Sequence, residues 1–581
     1  MCGIAGIFNY NHSEKINLIE LNNMNHHMHS RGPDDSGIWV NSSETIGLAH
    51  RRLSIIDLSQ NAKQPMQLQN SELVITFNGE IYNFQEIKKN LMQDGYCFKT
   101  HSDTEVILAL YQKYNVNMLK KLRGMFALAI WDEKNKTLFC ARDPFGIKPF
   151  YFSDNQKSFR FASQVKTLLA GGSNAVDTKP NAAGKVGFYL LGSVPEPHTL
   201  YQGISTLPAG NYLCIDQNGK KTQKEYYSIK SVLINAENNL NHSTSFSETL
   251  SEVLYDTVRH HLVSDVNVGV FLSAGIDSST LVNVASEISN QKITTITLGF
   301  DEYRYSNQDE VPLAEIASSY FKTNQKTEYI LEKYAQAEYE NIIATMDQPS
   351  IDGMNTYFVS QIAARNGLKV ALSGIGADEI FFGYPHFSRI STQVKYLKYY
   401  HVAGKLCRHV LKKYVSAKYA SLFEYSNNIS SAYFLSRALH LPWELDFIDP
   451  AFLKTGLEQL NLLERFKHDI ADIQSIPFQI SALELQWYMR NQLLRDSDWA
   501  SMAHSLEIRV PFVDTVFFEA VTKLSANNFL NKKALANAAH RSLPTAILNK
   551  PKTGFNIPVK KWFAHDASMK NFSKMIDRHF T

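Results

Sequence analysis

A cysteine stands second in the chain, followed by an apolar, glycine-containing run: Cys2-Gly3-Ile4-Ala5-Gly6-Ile7-Phe8. Loss of Met1, which a small second side chain permits, would leave Cys2 with a free α-amine beside its thiol. That amine can serve as the thiol's general base, directly or through a water, so the residue becomes a self-contained nucleophile. The plain alternative is a cysteine that merely follows the start codon. Asn78-Gly79, after the apolar run 73–77, is a turn signal, and its plain reading is a hairpin or strand-end turn. The same turn would aim the Asn78 amide and the Gly79 N–H at one oxygen, as an oxyanion hole for a thiol attacking an amide needs. Arg52 is either a surface cation or a bidentate partner for a carboxylate. Asp103, in Ser102-Asp103-Thr104-Glu105, either sits at a helix N-terminus or meets an ammonium.

A second kind of chemistry is written further on. The apolar run 266–272 leads into Ser273-Ala274-Gly275-Ile276-Asp277-Ser278-Ser279-Thr280 and then a helical pattern. Strand, small-residue loop and helix present backbone N–H groups to an anion, and small residues let a phosphate approach. Asp277 can hold a Mg²⁺. The plain alternative is a βα turn with a serine N-cap. A similar loop, Ser373-Gly374-Ile375-Gly376-Ala377-Asp378-Glu379, comes after the run 368–372, and Asp378 offers a second carboxylate to a shared magnesium.

The elements that must position these groups differ between the halves. Runs 125–131, 137–142 and 158–163 alternate apolar and polar residues, as antiparallel strands of half-buried sheets do. Runs 266–272, 293–300 and 368–372 are separated by helical patterns, which implies a parallel sheet with both loops at its C-terminal edge. Residues 192–210 hold three prolines and three glycines and suit a connection between domains. The expected division is 1–210, a hairpin and linker at 211–245, and 246–581. From about 385 the pattern is mostly helical, with a basic, tyrosine-rich stretch at 395–419 whose ordinary reading is an exposed helical face. A long amphipathic helix within 481–509 precedes Glu507 and Arg509, which either pair or contact substrate.

At 581 residues, two or more domains are expected. The net charge of +3 is too balanced to suggest nucleic acid or a membrane as partner. There is no apolar run of membrane-spanning length and no signal peptide. Five scattered cysteines without a CxxC pair suit a reducing cytoplasm. The sequence leaves open whether the chain forms a homodimer.

Cys2, RGPDDSG (31–37), HRRLSIID (50–57), NGEIYN (78–83), SDTEV (102–106) and ARDPFGIKPFYF (141–152) come in the order and spacing of the class II glutamine amidotransferase domain. The resemblance spans about residues 2–210. It implies an N-terminal-nucleophile αββα sandwich that turns L-glutamine into glutamate and ammonia through a thioester. It also implies Cys2 as nucleophile, Arg52 on the glutamine carboxylate, Asn78 and Gly79 as oxyanion hole, and Glu80 and Asp103 on the amino-acid head.

The second half resembles the parallel-sheet α/β synthetase domain of the glutamine-hydrolysing asparagine synthetases, itself of ATP pyrophosphatase type. The matches are both loops, Asp347-Gln348-Pro349, the run 501–514 and KPKTGF (550–555). This resemblance implies ATP and Mg²⁺, L-aspartate as acceptor, and extra C-terminal helices. Leu272 and Leu298 would flank the adenine. Ser273, Gly275, Ser278, Ser373 and Gly374 would bind the nucleotide, Asp277 and Asp378 the magnesium and pyrophosphate. Lys552 would neutralise charge in the adenylation transition state. Three departures stand out. Ala274 replaces a glycine and should need a negative φ. Ile375 stands where the family often has glutamate. Asp347-Gln348-Pro349 replaces the usual DEP. The last two open an alternative, another carboxylate as acceptor.

Overall fold

The computed structural model describes all residues except 1, 12–13, 173–175, 240–245, 528–529, 551–556, 564–567 and 581. Among the described residues, the first half carries twelve strands: β1 (Gly3–Asn9), β2 (Asp35–Val40), β3 (Ile46–Arg52), β4 (Met66–Gln67), β5 (Leu73–Ile81), β6 (Gly124–Asp132), β7 (Thr137–Arg142), β8 (Tyr151–Asp154), β9 (Ser158–Ala162), β10 (Ser205–Thr206), β11 (Asn211–Asp216) and β12 (Lys221–Glu225). They form two antiparallel sheets, in the orders β10-β8-β9-β1-β3-β2 and β12-β11-β7-β6-β5-β4. The period of two sorts the side chains of β1. Ile4 and Phe8 face the other sheet, packing with Leu48, Trp131 and Phe161. Ala5 and Ile7 face outward onto Leu21 and Met24 of helix Leu18–His27 and Val165 of helix Val165–Ala170. The second sheet puts Ile75 and Phe77 against Ile107 and Leu110 of helix Asp103–Tyr114. The layers are therefore helix, sheet, sheet, helix, which is the expected αββα sandwich.

One expectation fails here. Asn78 and Gly79 make no turn; they lie inside β5, opposite Ala127 and Phe126 of β6. The ladder overrides the local turn signal. What the glycine supplies is room, because a Cβ there would sit 2.1 Å from the Met125 carbonyl oxygen. The expected hairpin is β11–β12, and β11 pairs with β7 at the edge of the second sheet. The first unit's sheet thus runs past 210, to Glu225.

The second half is built on β13 (Val268–Phe271), β14 (Thr294–Phe300), β15 (Asn324–Ile330), β16 (Val370–Leu372) and β17 (Glu507–Arg509), all parallel, in the order β15-β14-β13-β16-β17. Strands β13, β14 and β16 are the three expected runs. Strand β15 reads NQKTEYI, a half-exposed edge strand with little apolar alternation. Strand β17 has three residues and two charges, so periodicity does not reveal it. Beyond β16 most of the chain is helical. One continuous helical run, 476–502, has π-type turns over 484–494.

The halves are clasped by side chains as well as by backbone contacts such as that of the Ile351 N–H to the Gly192 carbonyl at 3.0 Å. Arg31, fully buried, forms two hydrogen bonds to Asp498 at 2.7 and 3.0 Å. Removing one partner of such a pair costs about 3–5 kcal/mol. Asp347 caps helix Val165–Ala170, accepting from the Val165 and Lys166 N–H groups at 2.9 and 3.0 Å. Gln348 donates to the Tyr151 hydroxyl at 3.2 Å. The Asp347-Gln348-Pro349 departure therefore lies at the join between the halves.

Candidate functional site

Cys2 immediately precedes β1, the strand at the middle of the first sheet, and is buried. Its backbone N–H donates to Asn78 Oδ1 at 2.9 Å, and its thiol lies 3.9 Å from the Leu53 carbonyl oxygen. Arg31 Nε donates to the Cys2 carbonyl at 3.1 Å, so the clasp between the halves also fixes the cysteine's backbone. Burial pushes the Cys2 thiol above its ordinary value, while Arg52 pulls the other way. Asn78 is fully buried and its Nδ2 has no hydrogen-bond partner. An unsatisfied buried amide beside a thiol is what an oxyanion hole looks like before its oxygen arrives.

The other sequence-predicted residues of this half surround the pair. Arg52 ends β3 and donates to the carbonyls of Ser59 at 3.0 Å, Ile56 at 3.2 Å and Asp57, shaping the loop beside Leu53. Asp103 lies in the first helical turn, with Ser102 as the cap. It accepts from the Ile81 N–H at 3.0 Å, and burial raises it to about 6. Glu80 is on the same face of β5 as Asn78, as the period of two requires. It meets a cation from the other half: Arg509 Nη2 is 3.5 Å from Glu80 Oε2. Arg509 also holds Glu507 at 2.6 Å and donates to the His261 and Val263 carbonyls at 2.8 and 2.6 Å. Glu507 and Arg509 are both completely buried. They are thus an ion pair with each other, and the pair reaches the glutamine-side residues. Burial and then the Glu507 charge push Glu80 well up. Burial works against Glu507 too, but the cations around it, Arg509 and Lys148 among them, hold it down.

In the second half the two loops meet at the C-terminal edge of the parallel sheet. Leu272, just past β13, donates its N–H to the Ile296 carbonyl at 2.9 Å; Leu272 and Leu298 are both buried. Ser273 and Ser278 hydroxyls lie 3.3 Å apart across the turn. Gly275 caps helix Ile276–Ile288 with no side chain on its first N–H groups, which leaves them for an anion. Ala274 is at φ +54°, not at the negative φ expected for it. The loop needs a left-handed residue there, and alanine carries a cost of roughly 1–2 kcal/mol. Ala274→Gly relieves that cost but loses a buried methyl and adds chain entropy, about 0.8 and 0.5–1 kcal/mol. It is therefore expected to change stability by less than about 1 kcal/mol, against about 1.5 for the same change at an unstrained buried site. The urea midpoint reads this; a drop matching the larger figure would show that no strain is stored at Ala274.

Asp277 and Asp378 converge on one cation, Lys532. Its ammonium is 3.0 Å from Asp378 Oδ1 and bonded to Asp277 Oδ1. Burial opposes the Lys532 charge, but the two carboxylates outweigh it and raise Lys532 above its ordinary value. Gly383 makes the approach possible, since a Cβ there would lie 2.0 Å from Asp378 Oδ1. Gly374 packs on Asp277, and the Ser373 N–H donates to the Arg509 carbonyl at 2.8 Å, tying the second loop to β17. Two carboxylates already sharing a cation fit a magnesium ion, which takes oxygen ligands and fills the rest of its shell with phosphate and water. Among the described residues no group of three or more His, Cys, Asp or Glu could hold an ion unaided. Lys552 lies outside the described residues. Ile375 is half-buried against the main core and brings no polar atom to the loop.

Lys532 and Arg31 are the residues that reading the sequence missed. Lys532 begins the short helix Lys532–Asn537 in a stretch with no motif, and only the fold carries it to the loops. Arg31 opens the RGPDDSG motif, whose turn chemistry conceals a buried cation.

Comparison with known proteins gives matching results. Residues 1–227 match the glutamine amidotransferase domain family and residues 249–579 the asparagine synthase family. Asparagine synthetase [glutamine-hydrolyzing] 1 of Bacillus subtilis (strain 168) is 32% identical over 585 residues, covering 97% of this chain and 88% of the relative. Putative asparagine synthetase [glutamine-hydrolyzing] 2 of Methanocaldococcus jannaschii is 35% identical over 407 residues, 66% of this chain and 76% of the relative. Amidase chry2 of Gibberella zeae is 26% identical over 92% of this chain and 84% of its own. With Cys2 held against Asn78 in one half, a paired-carboxylate loop site in the other, and both family models matched in order, the chain belongs to the glutamine-hydrolysing asparagine synthetase family.

Proposed function

We propose that the chain makes asparagine from L-aspartate, ATP and glutamine nitrogen, in two half-reactions at the two sites. Once Met1 is removed, the group that donates to Asn78 is the Cys2 α-amine. It takes the thiol proton, and the sulfur adds to the glutamine amide carbon. Asn78 Nδ2 and the Gly79 N–H receive the oxyanion; ammonia leaves, and water releases glutamate from the thioester. Arg52, Glu80 and Asp103 hold the amino-acid head.

In the second site an aspartate β-carboxylate oxygen attacks the α-phosphorus of ATP and pyrophosphate leaves, giving β-aspartyl-AMP. Leu272 and Leu298 flank the adenine. The N–H groups at Gly275 and the hydroxyls of Ser273, Ser278 and Ser373 cradle phosphate, with Gly374 giving room. Lys532 and Lys552 neutralise the charge that develops. Magnesium, when bound by Asp277 and Asp378, would stabilise the departing pyrophosphate. Ammonia attacks the acyl carbon, AMP departs, and asparagine forms. Neutral ammonia is best kept from water, and the apolar cluster of Leu53, Ile55, Val370 and Met502 joins the two halves beside Cys2. The compartment we infer is a reducing cytoplasm, consistent with five free cysteines.

The observation that carries this reading is the convergence of Asp277 and Asp378 on one cation, in a chain whose other half places Cys2 against an unsatisfied Asn78 amide. AMP release with ATP and glutamine, measured with and without aspartate, tests it. Aspartate-dependent AMP, with asparagine formed one for one, is expected. Ile375 favours a second reading, in which another carboxylate is amidated, because no carboxylate at that position can orient an amine at the acyl centre. Glutaminase activity without any aspartate-dependent AMP would select it.

A further inference from the structure

Nine of the 21 exposed large apolar or aromatic side chains among the described residues fall between positions 396 and 419. Val402 is 85% exposed, Leu406 71% and Tyr414 79%. A soluble surface scatters such residues singly; a dense cluster marks an interaction site. Their spacing is helical. Tyr399, Val402, Leu406 and Val410 form one stripe along a short helical turn, Lys398–Ala403, and the helix Gly404–Leu411. Such a stripe normally faces the core, but here it faces outward. The side packed on the protein is set by Gly404, where a Cβ would lie 2.4 Å from Glu424 Cα. Arg408 fastens the same side, 3.2 Å from Glu424 and over the Trp443 ring.

The charge around the stripe is of one sign. From residue 380 to 423 the chain holds eight Lys or Arg and no Asp or Glu. Lys395, Lys398, Lys405, Lys412 and Lys413 are exposed along it. Tyrosines 396, 399, 400, 414 and 419 are interleaved with them and exposed. An outward apolar stripe bordered by lysines, with tyrosines at the margin, matches a helix lying in the plane of a lipid headgroup layer. No helix of the described residues is long and apolar enough to cross a membrane.

We propose that this face docks the enzyme on the surface of an anionic phospholipid bilayer, with Leu406 and Val410 entering the headgroup boundary and the lysines meeting lipid phosphates. A second copy of the chain is a poorer partner, because a two-fold contact would set these cations against their own copies. A nucleic acid would use the lysines but gain little from the outward aliphatic stripe. The first helix of this region, His386–Leu397, begins with His386 against Glu484 at 2.9 Å, so the face is built on the synthetase half.

The test is flotation of the full-length protein with vesicles of phosphatidylcholine alone, and with about 30% phosphatidylserine added, at about 0.1 M salt. Binding to the anionic vesicles only is expected. Lys398→Glu/Lys405→Glu/Lys412→Glu should weaken it at least a hundredfold, at about fivefold per charge removed. Leu406→Ser/Val410→Ser should weaken it about tenfold or more, which purely electrostatic attraction would not produce. Glutamate release from glutamine and AMP release with ATP, aspartate and ammonium should be unchanged in both variants, showing that both halves are folded. The proposal is overturned if anionic vesicles do not retain the wild-type protein, or if the serine variant binds them as well as wild type. It is equally overturned if the serine variant instead splits a dimer seen by sedimentation, or if a single-stranded RNA, offered in a parallel retention assay, holds the wild-type protein while the vesicles do not.

Discussion

Cys2→Ala removes glutamine-dependent amide formation by a factor on the order of 10⁴ or more, and leaves ammonium-dependent formation within about twofold of wild type. The size comes from losing the nucleophile, for which the remaining groups cannot substitute. Asn78 and Gly79 can still polarise the amide, but water would have to attack it unaided. Selectivity comes from geometry. The backbone contacts of Cys2, its N–H to Asn78 and its carbonyl to Arg31, do not involve the sulfur. Alanine keeps both, so the clasp from Arg31 to Asp498 survives and the second half is undisturbed. Glutamate release and AMP release, measured with glutamine and then with ammonium chloride, give the two numbers. Joint loss of both activities would mean that the sites do not divide the chemistry as proposed.

Asp378→Asn has the opposite signature. AMP formation with aspartate and ammonium falls by about 10²–10³, and glutamine hydrolysis stays near wild type. Asn matches Asp in shape, and the Gly383 N–H bond at 2.8 Å goes to the backbone carbonyl of residue 378, so the loop is kept. What changes is charge. Lys532 is raised by Asp277 and Asp378 together, against its burial. With one carboxylate gone, the pair that could share a divalent cation is reduced to a single ligand. Raising magnesium should recover part of the activity, which a merely misfolded loop would not allow. An Asp378→Asn enzyme within about threefold of wild type in AMP formation would remove this carboxylate from the reaction.

The two predictions rest on residues that differed in how legible they were. Cys2, Asn78, Asp277 and Asp378 could be singled out in the sequence because their chemistry is local. A thiol beside an α-amine, or a carboxylate one or two residues into a helix after a small-residue loop, needs only near neighbours to suggest its role. The alternating runs gave the antiparallel strands, and the apolar runs gave β13, β14 and β16, because periodicity and length are also local properties. Asn78-Gly79 misled as to shape, since turn propensity is weak beside a full ladder with β6. Period two still puts Asn78 and Glu80 on one face of the strand.

What the sequence determined by itself, then, is the list of reactive groups and the two kinds of sheet that carry them. What tertiary structure alone decided is how they are joined. Arg509 meets Glu80 from 429 positions away, Arg31 clasps Asp498, and Lys532 arrives between two aspartates from a stretch without a motif. Each is a buried charge with a partner far off along the chain. A charged side chain leaves the surface only when a distant partner offsets its lost hydration, and nothing in the residues beside it records which partner that is.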